Sequence, residues 1–377
     1  MSQAIEALSV GPRDAAALRA FFRNNAFPLV EHDRITFVWY GEADEVRLRH
    51  WIYGLASSRN LQRLEGTALW HLTLPIPPES RVEYKFEVVR GEVGTWIRDP
   101  RNPNLARDPF GANSVAHGFG YRIPEWIHPH PEAPRGRYEE IVSGSTVFGE
   151  RPTRIYLPAR YRETRRYPLL IVHDGDDYLR FAALGATLDN LMWRREIPDM
   201  IVAFTSTDHR LAEYANDERH AFFLTEELVP WLERHYPLRR QPQARCLLGA
   251  SFGAVAALST AVRYPGFYGR LLLQSGSFAF TDIGDRNERG PLFDPVVRFM
   301  NEYRAQPSAI SERVFVSCGT YESLIYENRS LVPLLESTGM DVMYREARDG
   351  HNWENWRDRL REGLSWLFPG AFLMIYE

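Results

Sequence analysis

Hydrophobic and polar positions follow two different patterns along this chain. From about residue 34 to residue 120 they alternate over short, aromatic-rich stretches that turn residues separate at close spacing. Such alternation predicts strands, and short strands without helices between them are typical of a β-sandwich. The clearest predicted strands are 35–40, 46–48, 69–74 and 82–88. Before them, residues 14–24 have the pattern of a helix.

A proline-rich stretch, residues 123–131, ends this first pattern. Its prolines cannot continue a regular helix and favour an extended linker. We therefore predict three parts: an N-terminal β-sandwich domain in residues 1–123, a linker in residues 124–136, and a second domain in residues 137–377.

In the predicted second domain, apolar runs alternate with helical segments. The predicted strands are 154–157, 169–173, 200–204, 244–248, 271–273, 313–318 and 341–346. The predicted helices are 182–193, 218–235, 254–263, 328–337 and 353–367. This alternation predicts a mostly parallel sheet covered by helices on both faces. The expected fold class is thus α/β, preceded by a smaller all-β sandwich.

One pentapeptide, Gly249-Ala250-Ser251-Phe252-Gly253, lies between a predicted strand and a predicted helix. A G-x-S-x-G sequence in that position is typical of a nucleophile elbow, in which a sharp turn exposes the serine Oγ. The glycines remove Cβ atoms that would collide in such a turn. The alternative is a strand-to-helix turn built from small residues, without chemistry. The flanking elements favour Ser251 as a nucleophile.

Candidate partners for Ser251 follow in the order Ser, acid, His that α/β-hydrolases use. Glu322 comes directly after the predicted strand 313–318, and His351 follows the predicted strand 341–346 and a glycine. His351 could act as general base and Glu322 could hold its tautomer. The alternatives are a surface histidine before a helix and a carboxylate that stabilises a helix start. Asp349 is too near His351 in sequence to be the first choice for the acid.

An oxyanion hole would complete this chemistry. The backbone N–H of Phe252 is one expected donor. The other is expected in the loop after strand 169–173, where Gly175 would let the backbone turn so that its own amide or that of Asp176 points at the oxyanion. The carboxylates of Asp176 and Asp177 are expected to point away or toward a cation. A metal site is the alternative, but no ligand set has the required spacing, so neither a metal nor a cofactor is expected.

Composition limits the function classes. A net charge of −4, with 44% hydrophobic and 25% charged residues, argues against a nucleic-acid binder. There is no run of about 18 apolar residues for a membrane span and no signal-peptide pattern in residues 1–19. Cys246 and Cys318 lie in predicted interior strands, where buried thiols are expected rather than a disulfide. We expect a cytoplasmic protein with a small-molecule ester substrate; homodimerisation is left open.

In both predicted domains, the chain resembles the enterochelin (ferric enterobactin) esterase family and the wider esterase family around it. The resemblance covers most of the chain and depends on the elbow and on Gly350-His351-Asn352-Trp353-Glu354-Asn355-Trp356-Arg357, which is similar to a G-H-D-W-x-x-W-R signature. Residues 37–41, 64–70, 84–86 and 99–103 look like that family's immunoglobulin-like, early-set N-terminal domain.

The resemblance implies a serine esterase that forms an acyl-serine intermediate on Ser251, with His351 and Glu322 as its partners. It implies hydrolysis of a siderophore trilactone and brings in Arg210 and Trp353 as substrate-binding candidates. Arg210 could instead pair with Glu213 as a structural ion pair, and Trp353 could be core. The alternatives in function are a feruloyl or acetyl esterase and a non-catalytic binding module. A peptidase or a thioesterase also stays open, because a triad alone does not select the leaving group.

Overall fold

The described chain divides into two compact units. The computed structural model describes residues 2–281 and 290–370. The first unit consists of the described part of Met1–Ile123 with two later segments, Gly319–Ser323 and Ala347–Asn352. The second unit consists of Pro124–Cys318, Leu324–Glu346 and the described part of Trp353–Glu377. Glu322 and His351 therefore belong to the first unit, whereas Ser251 belongs to the second.

The first unit begins with two helices and continues as strands. In chain order the elements are α1 (Gln3–Val10), α2 (Ala15–Asn24), β1 (Leu29–Glu31), β2 (Arg34–Tyr40), β3 (Glu45–His50), β4 (Ser58–Asn60), β5 (Gln62–Arg63), β6 (Leu69–Pro75), β7 (Arg81–Arg90), β8 (Val93–Ile97), β9 (Leu105–Asp108) and β10 (Gly111–His117). The predicted helix 14–24 is confirmed as α2. Asp14 caps it by accepting hydrogen bonds from the N–H groups of Ala16 and Ala17.

The strands of the first unit form two antiparallel sheets. One has the order β1-β2-β6-β5, and the other has the order β4-β3-β7-β10-β9 with β8 paired to β7. Along β3, half-buried and buried residues alternate, as expected when one face of a strand packs on a core. Side chains from both sheets, among them Phe37, Leu74, Leu48 and Phe86, share one apolar cluster. The four predicted strands are confirmed.

The second part of the chain alternates strands with helices. In chain order the elements are β11 (Arg137–Ser145), β12 (Gly149–Leu157), β13 (Leu169–Val172), α3 (Gly175–Phe181), α4 (Leu184–Trp193), β14 (Ile201–Thr205), α5 (Arg210–Glu213), α6 (Glu218–Phe222), α7 (Val229–His235), β15 (Arg245–Ala250), α8 (Phe252–Arg263), β16 (Arg270–Gln274), α9 (Asp294–Ala305), β17 (Arg313–Gly319), α10 (Ile325–Ser337), β18 (Asp341–Ala347) and α11 (Trp353–Leu367).

These strands form one mixed sheet in the order β11-β12-β14-β13-β15-β16-β17-β18. The strands from β14 to β17 run parallel, and the β11–β12 hairpin adds an antiparallel edge. All residues of β13 and β15 are buried, because helices cover both faces of a parallel sheet. The α/β class is confirmed, and the sheet is mixed, with a parallel centre and an antiparallel edge.

Three predicted elements differ in detail. The helix predicted over 182–193 begins at Leu184, because Ala183 has a φ of 49° and separates it from α3. The helix predicted over 218–235 contains a π-helical turn at Phe223–Leu228 between α6 and α7. The stretch predicted as extended linker contains a short 3₁₀ turn at Glu125–Ile127, which starts directly after Pro124.

The first strand of the edge hairpin, β11, was not predicted. Many of its side chains are exposed, so its sequence carries little hydrophobic period to detect. Cys246 and Cys318 are both buried free thiols, as predicted, and burial raises the pKa of Cys246. Within residues 2–281 and 290–370, no helix is long and apolar enough to cross a membrane. The cytoplasmic location stays a prediction.

Candidate active site

Ser251 occupies the turn between β15 and α8. Its backbone has a φ of 58° and a ψ of −122°. This is a costly conformation for a residue with a side chain, and such conformations are concentrated at functional sites. The strand, the turn and the helix follow one another directly, as a nucleophile elbow requires.

Two glycines allow the backbone to fold this tightly. A Cβ on Gly249 would lie 2.2 Å from the carbonyl oxygen of Gly253, far inside van der Waals contact. A Cβ on Gly253 would lie 3.2 Å from the Cβ of His173. Position 249 therefore excludes any side chain, and position 253 leaves little room for one.

The hydroxyl of Ser251 lies beside a second serine. Its Oγ is 3.2 Å from the Oγ of Ser277, a residue that is only 2% exposed. The N–H of Ser277 also donates to the carbonyl of Ser251 at 3.2 Å. Ser277 was not predicted from the sequence. Its position in the loop after β16, the strand that neighbours β15, could have indicated that it lies near Ser251.

Glu322 and His351 form a hydrogen-bonded pair in the first unit. Nδ1 of His351 lies 2.7 Å from Oε2 of Glu322, and Oε1 of Glu322 accepts the N–H of Gly319 at 2.7 Å. Glu322 is 2% exposed, whereas the imidazole of His351 is 38% exposed. A carboxylate at Nδ1 keeps the proton on that nitrogen, so that Nε2 is the basic nitrogen of the ring. The structure thus brings together the predicted acid and base.

The two loops that carry this pair are joined to each other. The N–H of Thr320 donates to the carbonyl of Ala347 at 2.7 Å, and that of Tyr321 donates to Asp349 at 3.1 Å. These loops follow β17 and β18, which are neighbours in the sheet. The hydrogen bonds between the two loops bring Glu322 and His351, which are 29 positions apart in sequence, next to each other.

The residues predicted to form an oxyanion hole stand at helix starts. Phe252 is the first residue of α8, and Gly175 and Asp176 are the first two of α3. The first N–H groups of a helix have no partner inside the helix. The carboxylate of Asp176 points to Arg154 at 2.7 Å, so its predicted orientation toward a cation is confirmed.

The predicted reason for Gly175 was wrong. The turn before α3 is made by Asp174, whose φ is 54°, and not by the glycine. Glycine is required at 175 because a Cβ there would lie 2.4 Å from the Cβ of Phe204. Glycine is therefore needed at position 175 because it has no side chain, and not because of its backbone freedom.

Arg210 binds Asp174, not Glu213. Its Nε and Nη2 donate to the two carboxylate oxygens of Asp174 at 2.8 and 2.7 Å, and Nη2 also reaches the carbonyl of Ala250 at 3.3 Å. The predicted Arg210–Glu213 pair is thus corrected. Through its bidentate contact with Asp174 and its hydrogen bond to Ala250, Arg210 ties the loop after β13 to the last residue of β15. A contact between Arg210 and substrate stays a prediction.

Glu213 belongs to a separate buried network. Its Oε1 accepts from Arg151 and Thr207, both at 2.7 Å. Burial raises the pKa of Glu213, but the neighbouring His220, whose Nδ1 lies 3.7 Å from Oε2, and the hydrogen bonds from Arg151 and Thr207 outweigh that effect and lower it to about 2. Nε2 of His220 lies 3.1 Å from Nε2 of His173, whose pKa burial and the neighbouring His220 lower to about 3. His173 is therefore neutral at ordinary pH and acts as a packed polar group.

Trp353, the other predicted substrate contact, is 8% exposed at the start of α11. Its ring packs edge-on against Tyr178 at 5.2 Å and against Trp356 at 4.7 Å between centroids. This position favours the core alternative, and a substrate contact stays a prediction. Among the described residues, no group of three or more His, Cys, Asp or Glu side chains could hold a metal ion.

Comparison with known proteins places this chain among esterases. A family model described as "Putative esterase" matches residues 145–367. An iron(III) enterobactin esterase of Dickeya dadantii (strain 3937) is 27% identical over 91% of this chain and 90% of its own length. One from Escherichia coli O6:H1 is 24% identical over 83% of both chains. The solved ferric enterobactin esterase of Salmonella typhimurium has a TM-score of 0.77 at 21% identity and covers 93% of this chain and 98% of its own; this shows a shared fold.

Proposed function

This chain belongs to the esterase family and is a carboxylic ester hydrolase, and on that premise we propose that Ser251, His351 and Glu322 are its catalytic triad. The observation that carries the proposal is the φ of 58° at Ser251 between β15 and α8. Strained backbone conformations of non-glycine residues are concentrated at functional sites. In a nucleophile elbow, this strain results from the sharp turn that exposes the serine Oγ.

In the proposed reaction, Oγ of Ser251 attacks the ester carbonyl carbon while Nε2 of His351 takes the hydroxyl proton. Glu322, 2.7 Å from Nδ1, stabilises the imidazolium that forms. The N–H of Phe252, with that of Gly175 or Asp176, stabilises the oxyanion. The carbon–oxygen bond to the alcohol then breaks, and His351 returns its proton to the leaving oxygen.

Water completes the cycle in the second half. His351 takes a proton from water, the hydroxide attacks the acyl carbon, and the bond to Ser251 breaks. Ser251 regains its proton from His351, and the carboxylic acid leaves. No metal or cofactor takes part in any step of this scheme.

For the substrate we propose a trilactone of the enterobactin class. Two relatives that are 24% and 27% identical, over four fifths or more of both chains, are iron(III) enterobactin esterases. Three ester bonds in one ring require a nucleophile that can act repeatedly on a small-molecule ester, which the proposed acyl-serine chemistry provides.

We also propose that residues 1–123 form an immunoglobulin-like sandwich domain, joined by residues 124–136 to a catalytic α/β-hydrolase domain in 137–377. The two antiparallel sheets around a shared apolar cluster support the first part. Expression of residues 137–377 alone would test whether the second part folds independently.

The decisive experiment measures hydrolysis of ferric enterobactin, iron-free enterobactin and a p-nitrophenyl acyl series. The proteins are the wild type, Ser251→Ala, and Ser259→Ala as a matched control on α8, where Ser259 is buried and donates to Ala256. We expect trilactone cleavage to fall at least about 10³-fold in Ser251→Ala and to persist in Ser259→Ala. Unchanged turnover in Ser251→Ala would overturn the mechanism. Ser251-dependent cleavage of short acyl or feruloyl esters alone would overturn the trilactone assignment.

A further inference from the structure

The loop that carries His351 is fixed by a buried arginine from β7. Nη1 of Arg81 donates to Oδ1 of Asp349 at 3.1 Å and to Oδ1 of Asn352 at 2.9 Å. These residues flank His351 and Gly350 on both sides. All of these residues belong to the first unit. One nitrogen therefore contacts both ends of the turn that contains His351, the proposed base.

Asp349 is the centre of this turn. Its Oδ1 accepts from Arg81, from the N–H of Gly350 at 2.7 Å and from Nδ2 of Asn352 at 2.9 Å. The side chains of Arg81 and Asp349 are 2% and 6% exposed. Water therefore competes little for these contacts, and loss of either side chain removes an ion pair from the buried charge that remains.

Backbone contacts add to this attachment. The N–H of Arg81 donates to the carbonyl of Arg348 at 2.8 Å, and Arg348 in turn donates through Nη1 to the carbonyl of Pro78 at 2.7 Å. The hydroxyl of Ser80 lies 2.6 Å from that of Tyr321, which is the neighbour of Glu322 in the other loop. The segment 78–81 thus holds the loop of the acid as well as the loop of the base.

We propose that Arg81 is a positioning residue, which aligns His351 for proton transfer through Asp349 and Asn352. The inference rests on the proposed role of His351. A buried ion pair adds little net stability compared with apolar packing, but it defines one geometry for the turn. Proton transfer depends steeply on such geometry, and a displacement of about 1 Å can reduce a rate about 10²-fold.

The test compares Arg81→Met, Arg81→Lys and a matched control, Arg49→Met. Arg49 lies on neighbouring β3 and pairs with Glu87 of β7 at 2.6 Å, so its loss removes an ion pair of the same unit that joins these two strands. We expect Arg81→Met to lower kcat about 30- to 100-fold with KM within about twofold. Arg81→Lys should have a kcat at least about tenfold higher than that of Arg81→Met, because one ammonium nitrogen can contact both Asp349 and Asn352. Arg49→Met should keep kcat within about twofold.

A double variant separates positioning from general loss of structure. If Arg81 acts through His351, Arg81→Met should change the residual activity of a His351→Gln protein less than about twofold. An equal loss in both backgrounds would overturn the inference. If Arg81→Met does not fold, Asn352→Ala carries the same comparison, because it removes the contact between Arg81 and Asn352. No effect of Asn352→Ala on kcat would then overturn the inference. Full activity of His351→Gln alone would instead overturn the proposed function.

Discussion

Ser251 and the Glu322–His351 pair are held in place by different physical means. The turn of Ser251 is local: β15, α8 and glycines two residues away on either side define its backbone. The loop of His351 depends on polar contacts with Arg81, which is 268 positions from Asp349 in sequence. We therefore expect steric changes to disrupt the turn of Ser251. Loss of a charge or a proton should instead disrupt the loop of His351.

The largest effect on activity is expected from the contact between Glu322 and His351. Glu322→Gln keeps the shape of the side chain but removes the carboxylate that stabilises the imidazolium and its tautomer. We expect kcat to fall about 10³- to 10⁴-fold with little change in KM, measured by steady-state ester hydrolysis. Glu336→Gln, an exposed site on α10, is the control. A loss below about tenfold would mean that Ser251 and His351 suffice without the acid.

A steric change at the elbow should come next. In Gly249→Ala the new Cβ meets the backbone of Gly253 at 2.2 Å, so the strand and the helix must separate. We expect a loss of about 3 kcal/mol in the free energy of unfolding, measured in urea. Gly144→Ala is the matched control, because a Cβ there has no neighbour within 4 Å. Equal behaviour of the two variants would contradict a sterically defined elbow.

The protonation state of Asp349 should change the free energy of unfolding as much as Gly249→Ala does, or less. Burial raises its pKa from 3.8 to about 6, while Arg81 opposes the rise. Because the folded state binds this proton more tightly than the unfolded state, the contribution to stability is full below about pH 4 and is lost as pH rises through about 6.

This rise in the pKa of Asp349, from 3.8 to about 6, corresponds to about 3 kcal/mol in the free energy of unfolding. The wild type should therefore lose up to about 3 kcal/mol relative to Asp349→Asn between pH 4 and pH 7. Thermal or urea unfolding at several pH values measures this difference. The control is Asp341→Asn, an exposed carboxylate at the start of β18. Parallel stability curves for the wild type and Asp349→Asn would contradict the prediction.

The smallest effect is expected at Ser277, whose hydroxyl is 3.2 Å from that of Ser251. A neutral hydrogen bond contributes about 1 kcal/mol, so Ser277→Ala should change kcat/KM by about tenfold at most. Rates of labelling by a fluorophosphonate probe would report the same change at Ser251. A loss above about 100-fold would show that Ser277 takes part in proton transfer. Ser277 would then have to be included with Ser251 when that region is compared with the Glu322–His351 pair.

Sequence patterns predicted the elements near Ser251 better than those that meet across the fold. The strand–elbow–helix segment, the capped helix α2 and the final helix Trp353–Leu367 were all predicted. Each depends on residues close together in the chain, through glycine positions, a capping carboxylate or a helical period. The exposed strand β11 was missed because it has little hydrophobic period.

The sequence by itself determined the α/β alternation, the sharp turn at Ser251 and the order of the three proposed catalytic residues. Their roles stay predictions. Only the tertiary structure decided that Arg210 binds Asp174, that Asp174 rather than Gly175 makes the turn, and that Arg81 reaches Asp349. The physical reason is range: hydrophobic period and backbone sterics act over a few residues, whereas the partner of a buried charge is selected by how the chain folds in space.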